Sequence, residues 1–439
     1  MNINPEFRRN LWLELTPYRL VGMPMILGAL LFLAYLLEGR QYGASVAKTA
    51  LILFGLLAFL WGTRLASEAL VSEIRDHTWD SQRMSVIGPW SMTWGKLLGS
   101  TIYPWYGALL CLLVYLTSKP SLGLSLVETA ALMIGSGLLG QAIGLLASLQ
   151  AIRKSQRYGR FQTTAFLALG AGCAVVLLNW PFAESAQVFW YDRVYPDHRF
   201  VLISLAVFLA WAIFGIYRLI RAELQLKSLP WAWGLFVLFL AGYLAGFLGE
   251  GSWLSGQGVW TLRLLTAFIT CLVLAYGTAF SERKDPVALR RLLQALGRRE
   301  WVRAMQALPL WLTTLAFVAL SCAALVAVEV SSAPGEGVQL VAVAALAMTL
   351  FLLRDLGLLL FLNLGRVPKR ADMLTILALV LLYSVIPTIL TALDLDRLSG
   401  MLRPMPGVPA GTVLPAALLQ AVAVCWLAAR RWRKSPLHD

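Results

Sequence analysis

The residues able to do chemistry in this chain are few and far apart. Three histidines, His77, His198 and His438, stand singly, with no pair at the spacing of metal ligands. A loop that cradles phosphate needs converging glycine amides ahead of a lysine and a hydroxyl. No Gly-x4-Gly-Lys-Ser/Thr run exists, and Gly95-Lys96 is followed by leucine. Acids outside the apolar runs, such as Glu184, Asp192, Asp197, Asp394 and Asp396, are scattered rather than gathered as an active site requires. Charge is instead concentrated in two kinds of place. One is the polar stretch SEIRDHTWDSQRMSVIGPWSMTWGKLL, residues 72–98. The other is Arg354-Asp355, set inside the apolar run MTLFLLRDLGLLLFLNLG. A charge at the centre of a spanning helix costs about 2.5–3.5 kcal/mol on an insertion scale, so such residues pair, face water or line a pathway. Successive helical residues point about 100° apart, so separate partners are expected for Arg354 and Asp355.

The elements that carry these residues are apolar. Of 439 residues 59% are hydrophobic and 14% charged, against about a quarter charged in soluble proteins. Runs long enough for a bilayer core about 30 Å thick recur at residues 20–37, 47–66, 97–117, 124–150, 163–183, 200–220, 230–248, 259–280, 308–329, 338–363, 372–392 and 409–428. They are continuous and leucine-rich, unlike the alternating segments of a membrane barrel. The expected fold is therefore an all-α integral membrane protein of about twelve transmembrane helices.

With both termini on the cytoplasmic side, most of the 37 basic residues fall on inner loops or their edges, including Arg153, Lys154, Arg157 and Arg160, the seven bases from Arg283 to Arg303, and Arg430, Arg431, Arg433 and Lys434. That distribution accounts for the net charge of +14 as a topology signal, so nucleic acid is not an expected partner. Membrane lipid is. Cys111, Cys173, Cys271, Cys322 and Cys425 all lie in apolar runs, which implies packing rather than a disulfide framework. Glu128 and Arg263 sit near span ends, where long side chains can reach the surface.

Self-comparison suggests a duplication. At an offset of 209, Arg9 matches Arg218, Glu14-Leu15 matches Glu223-Leu224, Glu73 matches Glu282, Asp76 matches Asp285 and Gly88 matches Gly297. At 213, Gly144 matches Gly357, Arg153 matches Arg366, Arg157 matches Arg370, and Gln141 falls opposite Arg354. The expectation is two parallel six-helix repeats, residues 1–220 and 221–439. Each opens with a basic, apolar segment expected to lie as an amphipathic helix in the interface plane, NPEFRRNLWLELTPYRL in the first and YRLIRAELQLKSLPW in the second.

By this topology residues 67–96 are cytoplasmic. Thr78 to Ile87 is expected to form a short helix ended by Gly88-Pro89, with re-entry into the membrane at Trp94-Gly95-Lys96 at headgroup depth. The stretch resembles the cytoplasmic signature of ABC-2 type transporter permeases, on Glu73, Thr78, Asp80, Ile87, Trp90, Gly95, Lys96, Leu97 and Leu98. It departs from that pattern where His77 stands for glycine, Val86 for proline, and Gln82-Arg83 for two apolar positions. The second half keeps Glu282, Asp285 and Gly297 but lacks the threonine and the Gly-Lys re-entry.

In that family the short helix docks on a separate cytoplasmic ATPase, whose closure switches the membrane pathway. The resemblance implies coupling residues Glu73, Asp76, Thr78, Arg83, Met84, Ile87, Gly88 and Trp90 in the first half, and Glu282, Asp285, Gly297, Arg298 and Arg299 in the second. Docking is expected to rest on apolar contacts from residues such as Met84 and Ile87. It further implies no catalytic residue and no cofactor in this chain, ATP and Mg on a partner ATPase, two such ATPase subunits per chain or a homodimer of it, a bacterial inner-membrane location, and export. The alternative is a twelve-helix secondary carrier of the major-facilitator class. That class has a long central loop and a Gly-x3-Asp-Arg-x-Gly turn after the second span, whereas the long polar loops here follow spans two and eight. An integral membrane enzyme would need clustered acids or histidines near one face, and these are absent from the sequence.

Overall fold

The computed structural model describes residues 4–40, 42–85, 87–118, 124–154, 168–175, 187–226, 229–248, 258–332, 340–365, 370–403 and 410–433. Apolar helices dominate it. The first unit, residues 1–188 and 194–228, opens with α1 (Pro5–Glu14), α2 (Pro17–Leu37) and α3 (Ala44–Arg75). A short helix α4 (Trp79–Arg83), then α5 (Pro89–Gly99), α6 (Ile102–Thr117) and α7 (Leu126–Lys154) follow. Strands β1 (Gln187–Trp190) and β2 (Arg193–Pro196) pair as a hairpin, and α8 (Asp197–Glu223) comes next.

The second unit, residues 189–193 and 229–439, holds α9 (Trp231–Ala245), α10 (Val259–Ser281), α11 (Pro286–Gly297) and α12 (Trp301–Ala307). It continues with α13 (Leu310–Ser332), α14 (Leu340–Asn363), α15 (Ala371–Ala392), α16 (Asp396–Leu402) and α17 (Ala410–Arg433).

Among the described residues nine helices are long and apolar enough to cross a membrane, and ten if the bent pair α5 and α6 counts as one span. The chain is a multi-pass membrane protein. The described residues alone do not reach the count of twelve. The run at 163–183 lies largely outside the described residues, of which 168–175 are helical. At 15 residues α9 falls short of the ~20 that span a bilayer. The run expected at 97–117 is two helices meeting at 54°. Ser100 and Thr101 at the break turn their hydroxyls back onto the carbonyls of Lys96 and Leu97 at 2.6 and 2.8 Å, the kind of local bonding that bends helices. The second interfacial helix is also absent as a separate element: Tyr217 to Glu223 simply continues α8, which closes at a left-handed Gln225, φ 57°.

Each unit has its own core. In the first, Leu70, Leu97, Leu145, Leu149, Ile216 and Ile220 pack together, and Met23, Phe54, Ala58, Cys111 and Met133 form a second cluster. In the second, Val237, Phe268, Val318, Leu325 and Leu352 play that part. All five cysteines are free; Cys111, Cys271 and Cys322 are buried, and Cys425 is exposed with its Sγ 3.9 Å from the Leu353 carbonyl.

Two spans contain π-helical turns, Gly55–Trp61 in α3 and Leu381–Val385 in α15. Such turns loosen the helical ladder and tend to mark sites where a side chain enters it. Gln141 enters the first. Its Nε2 donates to the Ala58 carbonyl at 3.0 Å, and its Oε1 accepts from Trp105 Nε1 at 2.9 Å.

Candidate functional site

The polar stretch after α3 folds as a handle on a buried ionic footing. α3 ends in a left-handed turn at His77, φ 55°. There the Thr78 amide bonds the Glu73 carbonyl at 2.9 Å and the His77 amide bonds that of Ile74 at 3.3 Å, the two bonds of a Schellman cap. Glycine favours that backbone, so the position where the permease pattern has glycine and this chain has His77 does take the conformation glycine suits. α4 follows. It is shorter than expected, Trp79–Arg83, and Pro89 starts α5 rather than ending α4, since a proline at a helix start costs no hydrogen bond.

Beneath the handle lies Lys96, 1% exposed. Its ammonium pairs with Glu73, donates to Gln82 Oε1 at 3.0 Å, stands 3.6 Å from Glu6 Oε1 and lies 5.2 Å from the Trp79 ring centroid. Gln82 in turn donates to Glu73 Oε1 at 2.9 Å, and the half-exposed Arg9 approaches both Glu6 and Glu73, at 3.6 and 3.9 Å. Two carboxylates thus face two cations. Lys96 is not the headgroup lysine that the Trp-Gly-Lys pattern suggested: it looks inward, because α1 covers it. α1 can do so because Gly95 and Gly99 present no side chain; a Cβ on Gly95 would lie 2.6 Å from Glu6 Cβ, and one on Gly99 2.7 Å from Asn10 Nδ2. Asn4 Nδ2 donates to the Ser91 carbonyl at 2.6 Å and completes the clasp.

Around this footing the expected coupling residues divide. Asp76, Thr78, Met84, Gly88 and Trp90 are exposed, Met84 to 82%. Arg83 is half-buried, 3.7 Å from Asp80. Trp90 stacks edge-on with Trp94 and Tyr217, centroids 6.1 and 5.2 Å away. Glu73 and Ile87 turn inward, the first to Lys96 and the second against the core of its unit. In the second unit Glu282 caps α13 by accepting from the Trp311 amide at 3.2 Å, and Asp285 caps α11 through the Val287 amide at 3.0 Å. Gly297, Arg298 and Arg299 are exposed at the end of α11, where Arg299 takes the left-handed cap position, φ 57°.

The charges in α14 are paired with each other. Arg354 Nε donates to Asp355 Oδ1 at 2.9 Å, although the residues are adjacent; the long guanidinium stem bends back across the 100° between them. Asp355 Oδ2 also accepts from Tyr276 and Tyr383, both at 2.7 Å, and Arg354 Nη1 donates to Gln420 Oε1 at 2.8 Å and to the Leu402 carbonyl at 3.3 Å. The guanidinium lies 4.7 and 5.0 Å from the Phe351 and Tyr383 ring centroids. The expectation of separate partners holds in addition to the mutual bond, and both residues are buried. Arg263 is itself buried, 2.5 Å from the half-exposed Asp192 carboxylate and 5.0 and 5.4 Å from the Tyr191 and Trp260 ring centroids.

Glu6, Gln82 and Lys96 as ligands of one cluster, and Tyr276, Tyr383 and Gln420 around Asp355, were not legible as site residues in the sequence. Their partners lie from 9 to 90 residues away in the sequence, and no local pattern marks them. Among the described residues no three His, Cys, Asp or Glu side chains gather as metal ligands. Comparison with protein-family models, with curated proteins and with solved structures gives no match.

Proposed function

We propose that this chain is the membrane permease subunit of an ATP-binding cassette transporter, moving a substrate outward across a bacterial inner membrane with energy from a separate ATPase. The observation that carries the reading is the handle: a five-residue helix, α4, between α3 and α5, with Asp80 and the following Met84 exposed, on a footing of buried opposite charges. Met84 is offered to a partner as a short helix offers an anchor to a groove, and Asp76, Asp80 and Trp90 flank it. Force on α4 reaches α3 through Glu73, α5 through Lys96 and α1 through Glu6. The inner end of α3, together with α5 and α1, would therefore move with it. ATP and Mg belong to the partner, and both termini are taken as cytoplasmic, the orientation that the basic loops favour when the bent pair counts as a tenth span.

The test is purification of the full chain with its ATPase. Hydrolysis by the complex that rises on binding this chain, and falls in Met84→Asp, supports the proposal; a chain that transports with no nucleotide-hydrolysing companion overturns it. A secondary carrier is the second reading, favoured by the buried Arg354-Asp355 pair and its two tyrosine donors, since intramembrane ions of this kind serve ion-coupled transport. Transport abolished by a protonophore and indifferent to ATP would select it.

A further inference from the structure

The loop after α10 differs from the handle after α3 in a way that points to a different partner. Residues 72–98 hold three bases and three acids, spent largely on one another, whereas residues 282–308 hold seven bases and three acids. Lys284 is used inside, 3.8 Å from Asp372, and Arg303 pairs with Glu300 at 2.7 Å. Arg290, Arg291, Arg298 and Arg299 make no ion pair among the described residues. Beside this charge lies apolar surface that the described residues leave exposed. Leu292, Ala295 and Ala304 pack α11 against α12, and Leu289 joins the core of the unit. Leu293 and Leu296 stay open on the flank of that buried face, Leu293 to 57%, and Trp301 and Val302 on α12 are each 63% exposed, with Met305 beside them.

A helix with a buried apolar seam, an exposed apolar flank and unpaired arginines is the pattern of an element that lies in a membrane interface. Its anchorage agrees. α10 ends at Ser281 and α13 begins at Leu310, both membrane-spanning, so the loop is tied at both ends to the level where lipid headgroups lie, and a tryptophan there suits that depth.

We infer that α11 and α12 form a docking surface for anionic lipid: Arg290, Arg291, Arg298 and Arg299 take the headgroup phosphates while Leu293, Leu296, Trp301 and Val302 enter the acyl boundary. The inference stands apart from the ATPase reading, which rests on the α3 to α5 handle. It changes what the second loop is for: an anchor in the lipid surface rather than a second handle.

The experiment is hydrogen–deuterium exchange on the unmodified full chain in nanodiscs of phosphatidylcholine alone or of phosphatidylcholine mixed equally with phosphatidylglycerol. Each arginine at an anionic surface is expected to shift the docked-to-undocked ratio about fivefold at low salt. Peptides within 286–307 then exchange several-fold more slowly in the anionic discs and lose that protection in molar salt. Peptides within 76–90 are unchanged. The variant R290Q/R291Q/R298Q/R299Q removes the difference between the two discs. Exchange of 286–307 that is blind to lipid charge overturns the inference. So does protection that appears only when an ATPase subunit is added, which would make the loop a second handle. The comparison of lipids on the unmodified chain needs no variant to fold.

Discussion

Lys96 on α5 and Glu73 on α3 form a buried ion pair across 23 residues of sequence, and the pair supports the short helix α4 between those two helices. A buried charge pair adds little over an apolar substitute, but breaking it from one side strands the other charge. Lys96→Met leaves the Glu73 and Glu6 carboxylates together without their shared ammonium. The expected loss is about 3–5 kcal/mol, read as a lowered unfolding midpoint in detergent. Lys96→Met with Glu73→Leu is expected to recover most of it, and a double variant no better than Lys96→Met alone would show that Glu73 is not the partner that matters.

Docking of α1 has a test that depends on sign. In an isolated helix Gly→Ala stabilises by about 0.5–1 kcal/mol. At Gly95 the added methyl meets Glu6, so Gly95→Ala is expected to cost about 1–3 kcal/mol through overpacking and to expose the chain near Leu15-Thr16 to protease. In a chain lacking residues 1–14 the same substitution turns neutral or stabilising. A loss that persists without α1 would place its cause elsewhere.

The left-handed cap at His77 carries strain that glycine would relieve. His77→Gly is expected to be neutral or to stabilise by up to about 1 kcal/mol, while His77→Val, branched at Cβ, destabilises by about 1–2 kcal/mol. Thermal unfolding of the three forms ranks them. A glycine variant less stable than a valine one would mean that the imidazole, and not the backbone, holds the turn.

These positions also show how far the sequence could be read. Apolar runs gave the spans because lipid demands about twenty apolar residues in a row, and that demand is local. The short polar helix after α3 was legible for the same reason. Lys96 was not: Trp94-Gly95-Lys96 looks like a headgroup anchor until Glu6, 90 residues earlier, is placed on top of it. The break at Ser100-Thr101 and the short α4 were missed as boundaries set by hydroxyl back-bonding and a proline start. For Arg354 and Asp355 the helical period was right about their Cα directions and silent about reach, since a guanidinium on a three-carbon stem can turn through 100° and still bond its neighbour at 2.9 Å.

Surface and footing are expected to separate in their effects. Met84 is 82% exposed with no packing to lose, so Met84→Asp leaves the unfolding midpoint within the range of ordinary surface changes, about 0.5 kcal/mol, and reduces ATPase stimulation if α4 is the handle. Unchanged stimulation with Met84→Asp and Trp90→Ala together would remove α4 from the coupling path while leaving the fold as described.

The pair in α14 distinguishes structure from transport. Asp355→Asn leaves the buried Arg354 guanidinium with only neutral acceptors such as Gln420 Oε1 and the Leu402 carbonyl, and about 3–5 kcal/mol is the expected loss. Tyr383→Phe removes one of two tyrosine donors and costs about 1 kcal/mol. Replacing both charges and both tyrosine donors, Arg354→Met with Asp355→Leu, Tyr276→Phe and Tyr383→Phe, is expected to recover most of the Asp355→Asn loss, because matched apolar side chains then leave neither a stranded charge nor an unpaired tyrosine hydroxyl. Transport by that combined variant is then decisive. Activity retained with stability restored means that the pair serves helix packing alone, whereas stability restored and transport lost means that the charges act on the substrate or its coupling ion.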